Sequence, residues 1–198
     1  MVIGIVLYSV LDYFINETLV ANYHGNYTLF NTLFSGGLYL SWATILLGLI
    51  VIIPLFFATK FGPWVGLACF LLGSLIGDSF SQAMTDFGVP WYDYASHAPL
   101  GFLSGLAFLR TLGFYGTRRN LATAVVTSFI GIVISTLFFM ITYISEYQSS
   151  WFDRFRFQLA TALVASIVMV IVLPILLLIA TKIERRNTPP DRFDELSS

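Results

Sequence analysis

Charge is what this sequence has least of. Of its 198 residues only 11% are Asp, Glu, Lys or Arg, against 57% hydrophobic, and the mean hydropathy is +0.81. Soluble domains carry about 25% charged residues, so a water-soluble fold of this length would expose apolar patches large enough to aggregate. That scarcity disfavours a cytosolic enzyme, a nucleic-acid-binding module and a disordered chain together. Cysteine is scarce as well: Cys69 stands alone in an apolar run, which excludes an intrachain disulfide. With two histidines, His24 and His97, the chain has no Cys/His cluster of zinc spacing. No G-x-x-x-x-G-K-[ST] occurs, which excludes ATP binding through a P-loop. The start Met1-Val-Ile-Gly-Ile-Val-Leu7 lacks a basic region and a small-residue cleavage site. The first apolar segment is therefore expected to stay as a helix and not to be removed as a signal peptide.

Long apolar runs are present instead. A membrane-spanning helix needs about 20 mostly apolar residues. Gly36–Thr59, Leu121–Ser145 and Phe157–Thr181 meet this, with no acidic or basic residue in any of them. Pro63–Ala83 is interrupted by Asp78, Ala95–Tyr115 by His97 and Arg110, and Val2–Val20 by Asp12 and Glu17. Thr28–Phe34 either extends the second span or lies in the interface. The expectation is an all-α integral membrane protein, a compact bundle of six transmembrane helices over residues 1–183. A polar cytoplasmic tail over 184–198 follows, of which Asn187–Ser198 reads as disordered.

The few charges orient these spans. Lys60 falls between spans two and three, Arg118 and Arg119 between four and five. Lys182, Arg185, Arg186 and Arg192 follow span six, and Arg110 lies near the same end of span four. Eight of the 10 basic residues thus mark one side, leaving Arg154 and Arg156 on the other. By the positive-inside rule the basic side is cytoplasmic, which puts both termini inside. The outer loops, about 21–35, 84–94 and 146–156, hold Tyr23, His24, Tyr27, Trp91, Tyr92, Tyr94, Tyr147 and Trp151. Their acids are Asp86, Asp93, Glu146 and Asp153. Such aromatics form either an ordinary interfacial belt or the lid of a ligand pocket.

Two small-residue stripes, Gly73-Ser-Leu-Ile-Gly77 and Gly101-Phe-Leu-Ser-Gly105, have the spacing that lets membrane helices approach closely, and packing is their favoured role. Asp78 continues the first stripe. Counting about 1.5 Å per residue, it lies roughly 22 Å beyond Pro63 and Asp12 roughly 16 Å beyond Met1. A charge at a helix centre costs about 2.5–3.5 kcal/mol on insertion scales, which makes intramembrane ionisable residues suspects for function. With His97 they define an outer-half pocket whose candidate substrate contacts are Asp12, Asn16, Asp78, Trp91, Tyr94, His97, Tyr143, Glu146 and Trp151. An acidic and aromatic outer face suits a neutral or cationic heteroaromatic compound better than an anion.

Protease readings fail on spacing. Ser104 sits in a Gly-x-x-Ser-Gly stretch similar to that of rhomboids, but seven residues from His97 on one helix is roughly 10.5 Å of rise, beyond the roughly 3 Å reach of a nucleophile and its base. Leu75-Ile-Gly-Asp78 lacks the first Gly of the intramembrane aspartyl protease motif. Asn16-Glu-Thr18 and Asn26-Tyr-Thr28 match glycosylation acceptors, a pattern too common to decide the source.

One stretch is more specific. Ile53-Pro-Leu-Phe-Phe-Ala-Thr-Lys-Phe-Gly-Pro-Trp-Val-Gly66 leads into Gly73-Ser-Leu-Ile-Gly-Asp-Ser-Phe80, and Ser96-His-Ala-Pro-Leu-Gly-Phe-Leu-Ser-Gly-Leu106 follows a Trp-containing loop. In order and spacing this resembles the substrate-binding S components of energy-coupling factor (ECF) vitamin transporters. Those proteins share an FGP-x-x-G hairpin after span two, a third span ending near GD and a G-x-x-x-G fourth span. The start Gly4–Asp12 is also similar to some members, and the motif resemblance covers about residues 2–110. It implies a six-helix subunit of a bacterial or archaeal cell membrane that captures a vitamin-like molecule from outside and does no chemistry itself. It further implies a membrane coupling subunit and two ATPase subunits as partners, with no cofactor and no metal. The family docks on its coupling subunit through small residues of the first helix, often Ala-x-x-x-Ala. Here Gly4 and Ser9 are the candidates, and the Ala pair is missing. Two other classes stay open: a stand-alone proton-coupled secondary transporter using Asp12 or Asp78, and an intramembrane enzyme.

Overall fold

The computed structural model describes residues 1–23, 42–80, 91–146 and 151–187, and among these every regular element is a helix. In chain order they are α1 (Val2–Tyr23), α2 (Trp42–Ile50), α3 (Ile52–Phe61), α4 (Pro63–Phe80), α5 (Trp91–Thr111), α6 (Arg118–Glu146) and α7 (Trp151–Asn187). Each of the six apolar windows carries helix over most of its described residues. The second is split between α2 and α3 at Val51, three residues before Pro54. A proline has no N–H to give the carbonyl four residues back, and its ring crowds that carbonyl. The ladder therefore breaks at Ile50 and resumes when the Leu55 N–H bonds the Val51 carbonyl at 3.2 Å.

Several boundaries differ from the sequence reading. The helix α5 starts at Trp91 and α7 at Trp151, so the outer segments 84–94 and 146–156 are partly helical. Pro99 consequently lies inside α5. The helix also ends at Thr111, short of Tyr115, because Leu112 and Gly113 turn with φ of 48° and 77°. At the other end of the chain, α7 runs to Asn187, so residues 184–187 of the expected tail are helical. Arg185 and Arg186 in its last turn suit the negative end of the helix dipole.

Among the described residues two helices are long and apolar enough to cross a membrane, over Arg118–Thr142 and Gln158–Arg186, while Val2–Phe14, Gly48–Phe61 and Pro63–Gly77 are shorter apolar helices. The apolar side chains do not all turn inward. Ile167, Val170 and Ile171 of α7, Val126 and Ile141 of α6, and Val2, Ile3 and Phe14 of α1 are each more than half exposed.

Glycines set which helices meet and in what direction. A Cβ on Gly4 would sit 2.8 Å from the Cys69 sulfur, and one on Gly77 would sit 2.6 Å from Asp12 Oδ2; Tyr8 fills the space beside Gly73. Gly4, Tyr8 and Asp12 therefore pair in order with Cys69, Gly73 and Gly77. Both series step by four residues, so they are ridges of one helix face, and α1 runs parallel to α4. In α4 and α5 the partners run in opposite order: a Cβ on Gly101 would lie 2.6 Å from the Gly66 carbonyl carbon, while Phe70 and Ser74 meet His97. Next, α6 lies antiparallel to α5, with Gly131 against Leu100 and Ser104 and the Ser135 hydroxyl on the Ser96 carbonyl at 2.6 Å. Gly48 packs on Val164 and Ala165 near the start of α7, and Lys60 reaches Glu184 near its end. The α2–α3 segment thus runs parallel to α7. The small-residue stripes are helix-packing surfaces, the role favoured for them from sequence.

Candidate functional site

Between α1, α4 and α5 lies a cluster of polar side chains. Tyr8 is 2% exposed, Ser74 2% and Asp12 6%. Ser74 is the bridge: its Oγ lies 3.4 Å from the Tyr8 hydroxyl oxygen and 3.3 Å from His97 Nδ1. Both contacts are at the long end for hydroxyl hydrogen bonds. Because a neutral imidazole nitrogen either donates or accepts, the run has two consistent polarities. Either Tyr8 donates to Ser74 and Ser74 to His97, or His97 donates to Ser74 and Ser74 to Tyr8. Phe70, fully buried, joins the two ends with its ring: its centroid is 5.6 Å from that of Tyr8, edge-on, and 5.9 Å from that of His97. Each such ring pair contributes about 0.5–1.5 kcal/mol to the packing of α1, α4 and α5.

Position follows from the helix register. At about 1.5 Å per residue, Ser74 stands roughly 16 Å and Gly77 roughly 21 Å beyond Pro63, and His97 roughly 21 Å above Thr111. Asp12 is level with Gly77, hence roughly 21 Å from the α3–α4 turn, not 16 Å. The helix register is the cause: with Gly4 against Cys69 and Asp12 against Gly77, Met1 falls level with Gly66, so α1 begins about three residues along α4.

Of the residues singled out from sequence, the structure brings His97 to Ser74 and sets Asp12 against Gly77, one turn beyond Tyr8 on α1. The side chains of Asn16, Asp78, Trp91, Tyr94, Tyr143, Glu146 and Trp151 lie outside the described residues, as do the segments 24–41, 81–90 and 147–150. Gly4 and Ser9 are buried, Gly4 against Cys69 and Phe57, and Ser9 with its hydroxyl on the Ile5 carbonyl at 2.8 Å. Neither faces outward from α1. Ser104 is fully buried beside Gly131. Among the described residues no group of three or more metal-ligating side chains occurs.

Sequence reasoning missed Tyr8 and Ser74 as cluster members. The i, i+4 spacing of Tyr8 with Asp12, matched by Gly73 with Gly77, was the signal that could have found them.

The opposite end is a second polar knot. Lys60, counted from sequence as a loop cation, is 5% exposed and donates to the Gly113 carbonyl at 2.6 Å and to Glu184 at 2.5 Å. In the same turn the Tyr115 hydroxyl donates to the Thr59 carbonyl at 2.5 Å, and its N–H donates to Thr181 Oγ1 at 3.3 Å. Burial pushes this phenol, which lies beyond the end of α5, up to about 12. The Arg185 guanidinium sits 5.0 Å over the Phe114 ring. These contacts fasten the ends of α3 and α7 to the α5–α6 turn.

No protein-family model, curated protein or solved structure matches this chain.

Proposed function

We propose that this chain is a multi-pass membrane protein that captures a vitamin-like small molecule for an ATP-driven importer of the ECF type. Binding occurs at the extracytoplasmic side, and a separate coupling subunit and two ATPases drive release. The observation that carries this reading is the cluster of Tyr8, Asp12, Ser74 and His97, buried in an apolar helical interior far from the basic end. Its height, roughly 16–21 Å from the α3–α4 turn, is beyond the midpoint of a hydrocarbon core about 30 Å thick. The helix directions support six serial spans. First and third segments run parallel, second and sixth parallel, and neighbours three, four and five antiparallel, as alternation requires. The motif resemblance supplies the transporter class. With Gly4 and Ser9 turned inward, docking on the coupling subunit falls to the outward residues of α1, including Val2, Ile3, Val6, Leu7 and Val10.

Mass spectrometry of small molecules retained by the purified chain tests the proposal. A retained heteroaromatic compound, lost on His97→Ala and Ser74→Ala in variants that keep their helix content, supports capture. Retention unchanged in both variants removes the site assignment.

One observation favours a second reading. A hydroxyl bridging a phenol and an imidazole, with a buried carboxyl one turn along α1, is also an arrangement suited to a proton-coupled transporter. Proton-driven uptake by the purified chain alone in liposomes, abolished by Asp12→Asn, would favour that reading over capture.

A further inference from the structure

The Phe61-Gly62-Pro63-Trp64 turn does more than join two helices. Gly62 takes φ of 104°, where side chains are strained, and the Phe108 ring sits 3.2 Å from where its Cβ would be. One helical turn earlier on α5, a Cβ on Gly105 would meet the backbone of Gly62 at 2.7 Å. The turn is thus seated directly on α5 and has little freedom to move. Beside that seat runs an open groove of about 300 Å³ lined by Phe61, Pro63, Trp64, Phe102, Leu106 and Leu109.

Its walls are almost entirely apolar and face outward. Trp64 is 71% exposed, Leu109 65% and Phe61 49%. The indole is held edge-on to Phe102, centroids 5.6 Å apart at 74°, so the groove has a fixed aromatic wall. From Phe102 to Leu109 it extends roughly 10.5 Å along α5. Leu109 is followed by Arg110, exposed in the last turn of α5. The remaining basic residue of this turn region, Lys60, is committed to Gly113 and Glu184.

We propose that the groove holds the acyl chain of an anionic phospholipid of the inner leaflet, with Arg110 at the level of its phosphate. The directions agree: the apolar groove rises along α5 toward the bilayer centre, and the cation stands at its cytoplasmic end. A neutral sterol or a zwitterionic lipid gains less from Arg110, and a protein partner would have to cover Trp64. The proposal rests on the membrane reading above. Alkaline carbonate extraction tells the two failures apart: release of the chain defeats the membrane reading, whereas retention leaves only the groove in question.

The test uses Trp64 as its own probe. In a chain carrying Trp42→Phe, Trp91→Phe and Trp151→Phe, Trp64 fluorescence is followed in phosphatidylcholine vesicles. These contain phosphatidylglycerol or phosphatidylcholine brominated on the acyl chain, in equal amounts. A basic residue near an anionic surface is worth about 1 kcal/mol, about a fivefold preference. Brominated phosphatidylglycerol should therefore quench at about a fifth of the concentration that phosphatidylcholine needs, and Arg110→Gln should bring the two together. Equal quenching by both lipids overturns the proposal, as bulk lipid would do the same. Absence of quenching by either also overturns it, since a second copy or a partner then covers the groove. If the triple variant does not fold, native mass spectrometry of the unmodified chain decides: retained phosphatidylglycerol in excess of phosphatidylcholine, reduced by Trp64→Ala, is the expected result, and equal retention refutes it.

Discussion

The crossing of α4 and α5 makes a quantitative prediction through Gly101. A Cβ added there would lie 2.6 Å from the Gly66 carbonyl carbon and 2.9 Å from the Leu67 nitrogen. Every near neighbour is backbone, so no side chain can swing away and the two helices must separate. Overpacking costs about 1–3 kcal/mol, and backbone contact argues for the upper end. Against this, replacing a mid-helix glycine by alanine gains about 1 kcal/mol in helix propensity. Gly101→Ala should therefore be destabilising by about 2 kcal/mol, lowering Tm by about 4–8 °C for a chain of this size. Gly131→Ala is the matched comparison. Its nearest contacts are the Ser104 hydroxyl at 3.0 Å, the Leu100 carbonyl at 3.1 Å and a Leu100 methyl at 3.3 Å. Shifts of a few tenths of an ångström relieve these, so the propensity gain should roughly offset the contact and leave Tm within about 3 °C. The protein carries its own reporter, because its single thiol, Cys69, is fully buried and on α4. A fluorogenic maleimide reacts with it as the helices part on heating. A Gly101→Ala protein at least as stable as Gly131→Ala would refute the claim that these backbones are in contact.

Lys60→Met should lower Tm by more than Glu184→Gln in the same assay. The first leaves the buried Gly113 carbonyl without its charged donor, a loss of about 1.5–3 kcal/mol. The second alters a partner that is 50% exposed, where ion pairs contribute about 0–1 kcal/mol. Tyr115 predicts an alkaline limit. The unfolded phenol releases its proton near 10 and the folded one near 12, so stability is fully present below about pH 10 and falls as pH rises toward 12. Tyr115→Phe should flatten that part of the stability–pH curve, and an unchanged slope would assign it to other groups. Ser135→Ala removes the hydroxyl bonded to the Ser96 carbonyl at 2.6 Å, next to Pro99. A loss of about 1 kcal/mol, read as a Tm fall of about 2–4 °C, is expected.

Composition and run length determine a great deal by themselves. With 11% charged residues, helix is the economical way to satisfy the backbone of long apolar segments, and each of the six windows is helical over most of its described residues. The glycine stripes could be read as packing surfaces because four-residue spacing lies on one helix face whatever the neighbour is. Pro54 breaks the helix of the second window for an equally local reason. Helix ends were harder to read, since Trp91–Tyr94 and Trp151–Arg156 look alike as polar aromatic loops or as helix starts.

Tertiary structure alone decided which residues meet. Spacing along one chain cannot say that Tyr8 stands beside Gly73, that Ser74 links it to His97, or that α1 begins about three residues up α4 and so lifts Asp12. Those facts depend on the register between helices, fixed where glycine lets two backbones touch. Lys60 makes the same point. Its type and place in the chain mark it as a solvated loop cation. Only the folding together of Gly113 and Glu184, 53 and 124 residues further on, turns it into a buried tie.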